Sequence, residues 1–112
     1  MPLWLDTLHP ARVEMLTRGP SEREQKIIGA HFVYWQELVR QGTALLVGRT
    51  QDNGAHTVGI ALFEASDEAA AAAIAQADPT VSEGVMTSTV QPYRIGLIAD
   101  PEAWSRHAPK QT

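Results

Sequence analysis

The chain has 112 residues, no cysteine and a formal net charge of −4, with 44% hydrophobic and 20% charged residues. This length and composition suit one folded domain, and the missing cysteines exclude disulfides, thiolate nucleophiles and Cys-ligated metal. The acidic balance speaks against nucleic acid, whose phosphates require clustered Lys and Arg. No apolar run approaches the ~18 residues of a membrane span. The opening Met-Pro-Leu-Trp-Leu-Asp lacks the basic and apolar regions of a signal peptide. The expectation is a cytoplasmic domain with neither a membrane nor a nucleic-acid partner.

Residues 1–10 read as an N-terminal extension, and Val13–Leu16 as a short first strand ending at the turn Arg18-Gly19-Pro20. Ser21 and Glu24 then spell an S-x-x-E capping box. It opens a helix to about Arg40, with Gly42 at the left-handed position beyond its end. At 100° per residue Ile27, Ile28, Phe32, Tyr34, Trp35, Leu38 and Val39 share one arc, opposed by Lys26, Gln36, Glu37, Arg40 and the apolar exception Val33. Ala44–Val47 is a continuous apolar run, as expected of a strand covered on both faces. Gln51-Asp52-Asn53-Gly54 carries hairpin chemistry, and Thr57–Phe63 returns as a third strand. The alanine run Ala69–Ala73 predicts a second helix, with Ser66 as N-cap and Asp67 and Glu68 facing the positive dipole end. Asp78-Pro79 stops it. Val85–Val90 is the fourth strand, with a further extended piece at Tyr93–Ile98. The order β-α-β-β-α-β predicts an α+β, ferredoxin-like fold. Two helices cover only one face of such a sheet, so a second copy of the chain is the simplest cover for the other, and a homodimer is expected.

Among the four histidines, His9 and His107 lie near the termini and His56 beside the expected hairpin turn. His31 falls in the middle of the apolar arc, where a titratable imidazole needs a hydrogen-bond partner or a cavity to face. It reads either as a core histidine held by a backbone carbonyl or as a functional group. Asp78 follows a helix C-terminus, an unfavourable place for a carboxylate unless something holds it. Its alternative reading is a plain helix stop. Arg49 ends a strand expected to be buried, where it would either rim a pocket and hold an anion or lie solvated. Trp35, one turn after His31, is the other candidate for substrate contact. No H-E-x-x-H, G-x-S-x-G, P-loop or G-x-G-x-x-G pattern occurs, so no metal site and no cofactor are expected.

Ala30-His31-Phe32-Val33-Tyr34-Trp35, Leu46-Val47-Gly48-Arg49, Ala77-Asp78-Pro79, Gly84-Val85-Met86 and Val90-Gln91-Pro92-Tyr93, in that order, resemble a YCII-related (YciI-like) domain. The likeness runs roughly from Val13 to Leu97. It places the domain at 11–98, between the extension 1–10 and a tail 99–112. It implies a ferredoxin-like fold that pairs through its sheets as a dimeric α/β barrel, with His31 and Asp78 as the active-site pair. It further implies cofactor-independent lyase or isomerase chemistry on small cyclic or aromatic-derived compounds. The sequence departs from the family pattern at Arg49, where Gly-Pro is common, and at Thr80, where an aromatic often follows Asp-Pro. The tail, with Trp104, either packs as a helix on the partner copy or is partly disordered. Two further readings stand beside the enzyme. One is a small-ligand-binding module without chemistry, and the other is an assembly module in which His31 only satisfies the core.

Overall fold

A computed structural model of the chain describes residues 1–109. The central strand is β1 (Leu3–Pro10), followed by one helical turn, α1 (Glu14–Thr17), and the long helix α2 (Glu22–Arg40). Strands β2 (Ala44–Arg49) and β3 (Gly59–Glu64) come next, then helix α3 (Glu68–Gln76), the short α4 (Pro79–Ser82), strand β4 (Met86–Tyr93) and the short α5 (Pro101–Ser105). The four strands form one sheet in the order β2-β3-β1-β4, every neighbouring pair antiparallel. Helix α2 joins β1 to β2 across β3, and α3 joins β3 to β4 across β1. These two interlocked split βαβ units are the ferredoxin-like α+β fold.

The first strand is not where the sequence pattern placed it. Val13–Leu16 closes a local turn instead, with Leu16 N–H and Thr17 N–H both donating to Val13 O. Leu3–Pro10, expected as an extension, fills the sheet centre. Its alternation puts Trp4, Asp6 and Leu8 on the helix-covered face, all buried, while Leu3, Leu5 and Thr7 turn to the other. The capping box forms as expected. Ser21 Oγ accepts from Glu24 N–H, and Glu24 accepts from Ser21 N–H while also pairing with the Arg12 guanidinium. That ion pair and the Ser21 contact hold the Glu24 carboxyl down at about 2 and pin the α1 segment to the start of α2.

Trp4, Trp35, Ala44, Ala61, Phe63, Ala65 and Ala71 form the core between sheet and helices, with Tyr34, Leu38, Ile74 and Val90 packed around it. Phe32 and Val39 of the expected arc are exposed. They sit about 100° and 80° round the helix from His31, at the rim of the arc. Strand β2 is also open. It is the sheet edge and its register shifts between Ala44 and Leu46, leaving Leu45, Leu46 and Val47 exposed within one chain. The expected tight hairpin is a longer loop closed by Thr50 N–H to Val58 O, so β3 begins at Gly59. The second helix is capped by Asp67 rather than Ser66, and of Tyr93–Ile98 only Tyr93 belongs to a strand. The tail carries α5 with Trp104 half exposed, and residues 110–112 of the expected tail lie outside the described residues. Among the described residues no helix is long and apolar enough to cross a membrane.

Candidate active site

Helix α2 presents His31, Tyr34 and Trp35 toward the junction of α3 and α4, where Asp78 sits. Asp78 does not lie against the end of α3 as an unsupported charge. It is the N-cap of α4, with Pro79 at the first helical position, and its side chain accepts from Thr80 N–H at 2.9 Å. Oδ1 also accepts from the Thr80 hydroxyl at 2.8 Å, and Oδ2 accepts from the Trp35 indole N–H at 2.8 Å. The His31 imidazole reaches both oxygens through Nδ1, at 2.8 and 2.9 Å. The carboxylate is wholly buried, and four donors converge on it. Burial pushes its pKa up, but the bonds from His31 and Trp35, the imidazole charge and Thr80 N–H outweigh that and hold it below the usual carboxylate range.

An ionised carboxylate can only accept, so Nδ1 carries a hydrogen and donates it. The tautomer of the neutral ring follows: Nε2 holds the lone pair. Among the described residues Nε2 has no hydrogen-bond partner in the protein, yet it is not sealed away, the side chain keeping 18% of its surface. One nitrogen is clamped by a buried acid and the other is left without a protein partner, a geometry that can serve acid/base chemistry. Behind it, the Tyr34 hydroxyl donates to Ile74 O at 2.6 Å, tying α2 to α3. The Tyr34 and Phe63 rings pack on Trp35 at centroid distances of 5.3 and 5.8 Å.

The other two expected site residues are placed differently. Trp35, expected at the substrate, is 2% exposed and commits its one polar atom to Asp78, because its ring fills the core under α2. It supports the pair and offers no surface to a ligand. Arg49, expected to rim a pocket, does line a surface cleft with Leu46, Gly48, Thr50, Val58 and Ile60, but neither His31 nor Asp78 joins that cleft, and the guanidinium folds onto its own loop. It donates to Thr50 O at 2.9 Å, Asp52 O at 3.3 Å and Asn53 Oδ1 at 2.7 Å. The carbonyls freed by the long β2–β3 connection supply its partners. Among the described residues no group of three or more His, Cys, Asp or Glu side chains could hold a metal ion.

Two members of the cluster are not among the expected site residues, Thr80 being marked in the sequence only as a departure from the family pattern. Thr80 is fully buried and gives Asp78 two of its donors. The Asp-Pro-x order of a helix N-cap was the available signal. Asp6 is fully buried on β1, within electrostatic reach of Asp78 and His31. Reading Trp4, Asp6 and Leu8 with period 2 would have found it.

The sequence profile of the YCII-related domain matches residues 6–92. The chain belongs to the YCII-related family. A search among curated proteins finds no match. The YCII-related match begins within β1 and ends within β4, taking in β2, β3 and the His31–Asp78 pair.

Proposed function

We propose that this YCII-related protein is a small cofactor-independent enzyme in which His31 and Asp78 perform acid/base chemistry of the lyase or isomerase type. The observation that carries the reading is the clamped imidazole: Nδ1 bonded to a donor-saturated buried carboxylate, Nε2 left available. Nε2 removes a proton from a carbon beside a carbonyl or ring. Asp78 stabilises the imidazolium that forms and fixes its orientation, and the proton is returned at another position or a leaving group departs. A base so placed contributes about 10²–10⁴-fold, and orientation of the substrate supplies the remainder. The family resemblance supports small cyclic or aromatic-derived metabolites as the substrate class.

The functional unit proposed is a homodimer. The sheet face away from the helices carries Leu3, Leu5, Ile60, Leu62 and Leu46, a set of apolar side chains with no helix over them. A second copy laid sheet against sheet covers this face and closes a barrel.

The test is a thermal-shift screen of small phenolic and carboxylic compounds. Stabilising compounds are then followed by proton NMR for conversion or for exchange of carbon-bound hydrogen with solvent deuterium. Turnover that disappears in His31→Ala supports the enzyme. Binding with no conversion, lost in His31→Ala, supports the ligand-binding module instead. A His31→Ala protein that loses stability, from a parent that responds to no compound, supports the assembly module.

A further inference from the structure

Asp6 is a buried carboxyl that the acid/base reading does not use. It lies midway along β1 on the helix-covered face, opposite Ala61 of β3 and Val90 of β4, and none of its surface is exposed. One carboxyl oxygen, Oδ1, meets the Ser88 hydroxyl, and the other, Oδ2, has no hydrogen-bond partner among the described residues. The contrast with Asp78 is chemical. Four donors serve that carboxylate, and a single hydroxyl serves this one. An ionised carboxylate left with a bare buried oxygen carries the desolvation penalty uncompensated. As the neutral acid the same group donates its O–H to Ser88 Oγ, and Oδ2 becomes an uncharged carbonyl oxygen, far cheaper to leave unpaired.

The surroundings act in the same direction. The cross-strand neighbours Ala61 and Val90 are apolar, and the titratable groups facing Asp6 are Asp78 at the start of α4 and His31 and Tyr34 on α2. Burial pushes Asp6 above the usual carboxylate range, the Ser88 contact opposes this, and the Asp78 charge adds to it more than the imidazole relieves. Asp6 and Asp78 are thus driven in opposite directions by their environments, the pattern that divides roles between two neighbouring carboxyls.

We propose that Asp6 is a positioning residue for the His31–Asp78 pair, held as the uncharged acid so that the pair works against one buried negative charge rather than two. A second carboxylate here would favour the imidazolium and take Nε2 out of use as a base. The purpose assigned to Asp6 rests on the acid/base reading above; its protonation state does not.

The experiment follows the carboxyl carbon of each aspartate by NMR during a pH titration of the full chain labelled with ¹³C-aspartate. The chain has five such residues, Asp6, Asp52, Asp67, Asp78 and Asp100, and Asp6→Asn identifies the Asp6 signal by its loss. The Asp6 signal stays at its acid position above the ~3.9 at which a free aspartate ionises. In Asp78→Asn, with the neighbouring charge gone, it titrates at lower pH than in the parent. A second measurement needs no Asp78 variant. A proton held in the folded state and released on unfolding stabilises fully below the unfolded pKa and is lost as pH rises through the folded one. The unfolding constant of the parent relative to Asp6→Asn therefore climbs with pH between the unfolded value of ~3.9 and the Asp6 midpoint, by up to about tenfold per pH unit, and levels off above that midpoint. Ionisation of Asp6 in the ordinary range, an Asp6 midpoint unmoved by Asp78→Asn, or a stability gap that is constant with pH overturns the proposal. None of these readouts requires a substrate, so their failure is separate from failure of the acid/base reading.

Discussion

Asp78 offers the sharpest energetic test. Removing its carboxylate in Asp78→Ala orphans two buried donors, the Trp35 indole N–H and the Thr80 backbone N–H. The Thr80 hydroxyl can rotate, and the partly exposed His31 can turn to water. Each orphaned donor costs about 1–3 kcal/mol, so the loss should be about 2–6 kcal/mol. Asp78→Asn keeps one acceptor oxygen for Thr80 but turns an amide N–H₂ toward the indole N–H. One donor-to-donor conflict makes its cost about 1–3 kcal/mol. At roughly 4 °C per kcal/mol for a domain of this size, Asp78→Asn lowers Tm by about 4–12 °C, and Asp78→Ala lowers it further. The assay is thermal unfolding followed by circular dichroism at fixed protein concentration, because the Tm of an assembling chain depends on concentration. The sign with pH is also set. The Asp78 pKa is lowered in the fold, so its contribution is present above the unfolded value of 3.8 and is lost as pH falls through the folded one. The gap between parent and Asp78→Asn narrows on acidification. Variants that both melt within ~0.5 kcal/mol of the parent would refute a donor-saturated carboxylate at this position.

Other expectations follow from the same contacts. Trp35→Phe deletes one hydrogen bond to a charged acceptor while keeping an aromatic ring in the core, and chemical denaturation should show a loss of about 1.5–3 kcal/mol. Ser21→Ala removes the N-cap of α2 and costs about 1 kcal/mol in the same assay, whereas a neutral result would mean the cap is dispensable. Glu24, held at about 2 against 4.5 when free, contributes stability above pH 4.5 that disappears as pH falls toward 2. Melting curves of Glu24→Gln should therefore lie below the parent near neutrality and converge with it in acid. Leu62→Glu places a charge on the open sheet face, and sedimentation should find the parent as a dimer and the variant as a monomer. A monomeric parent would remove the sheet-to-sheet pairing.

The parts readable from sequence were those governed by local rules. Ser21 and Glu24 announced the start of α2, and the position of His31 in the apolar arc pointed inward because helical period and burial agree there. The strand β1 was misplaced because Leu3, Leu5 and Leu8 look like a loose apolar lead-in, and only pairing with both β3 and β4 makes them a central strand. Its loss hid Asp6. Trp35 illustrates a different limit. The wheel buries it correctly, but no sequence pattern says that its N–H is aimed at a carboxylate 43 residues away. Arg49 went astray for the opposite reason. In sequence Asn53 is a turn residue, whereas the longer loop brings its side chain and the Thr50 and Asp52 carbonyls back onto the guanidinium.

The proposed chemistry requires the His31 imidazole to act as a base through Nε2, with Nδ1 committed to Asp78. Nitrogen-15 NMR of the imidazole side chains, with His31→Gln used to assign the signals, tests it most directly. At a pH where the ring is neutral, His31 should be the Nδ1–H tautomer, with Nε2 bare, and Asp78→Asn should redistribute the two tautomers. A neutral His31 carrying its hydrogen on Nε2, or a tautomer balance unchanged in Asp78→Asn, would contradict it.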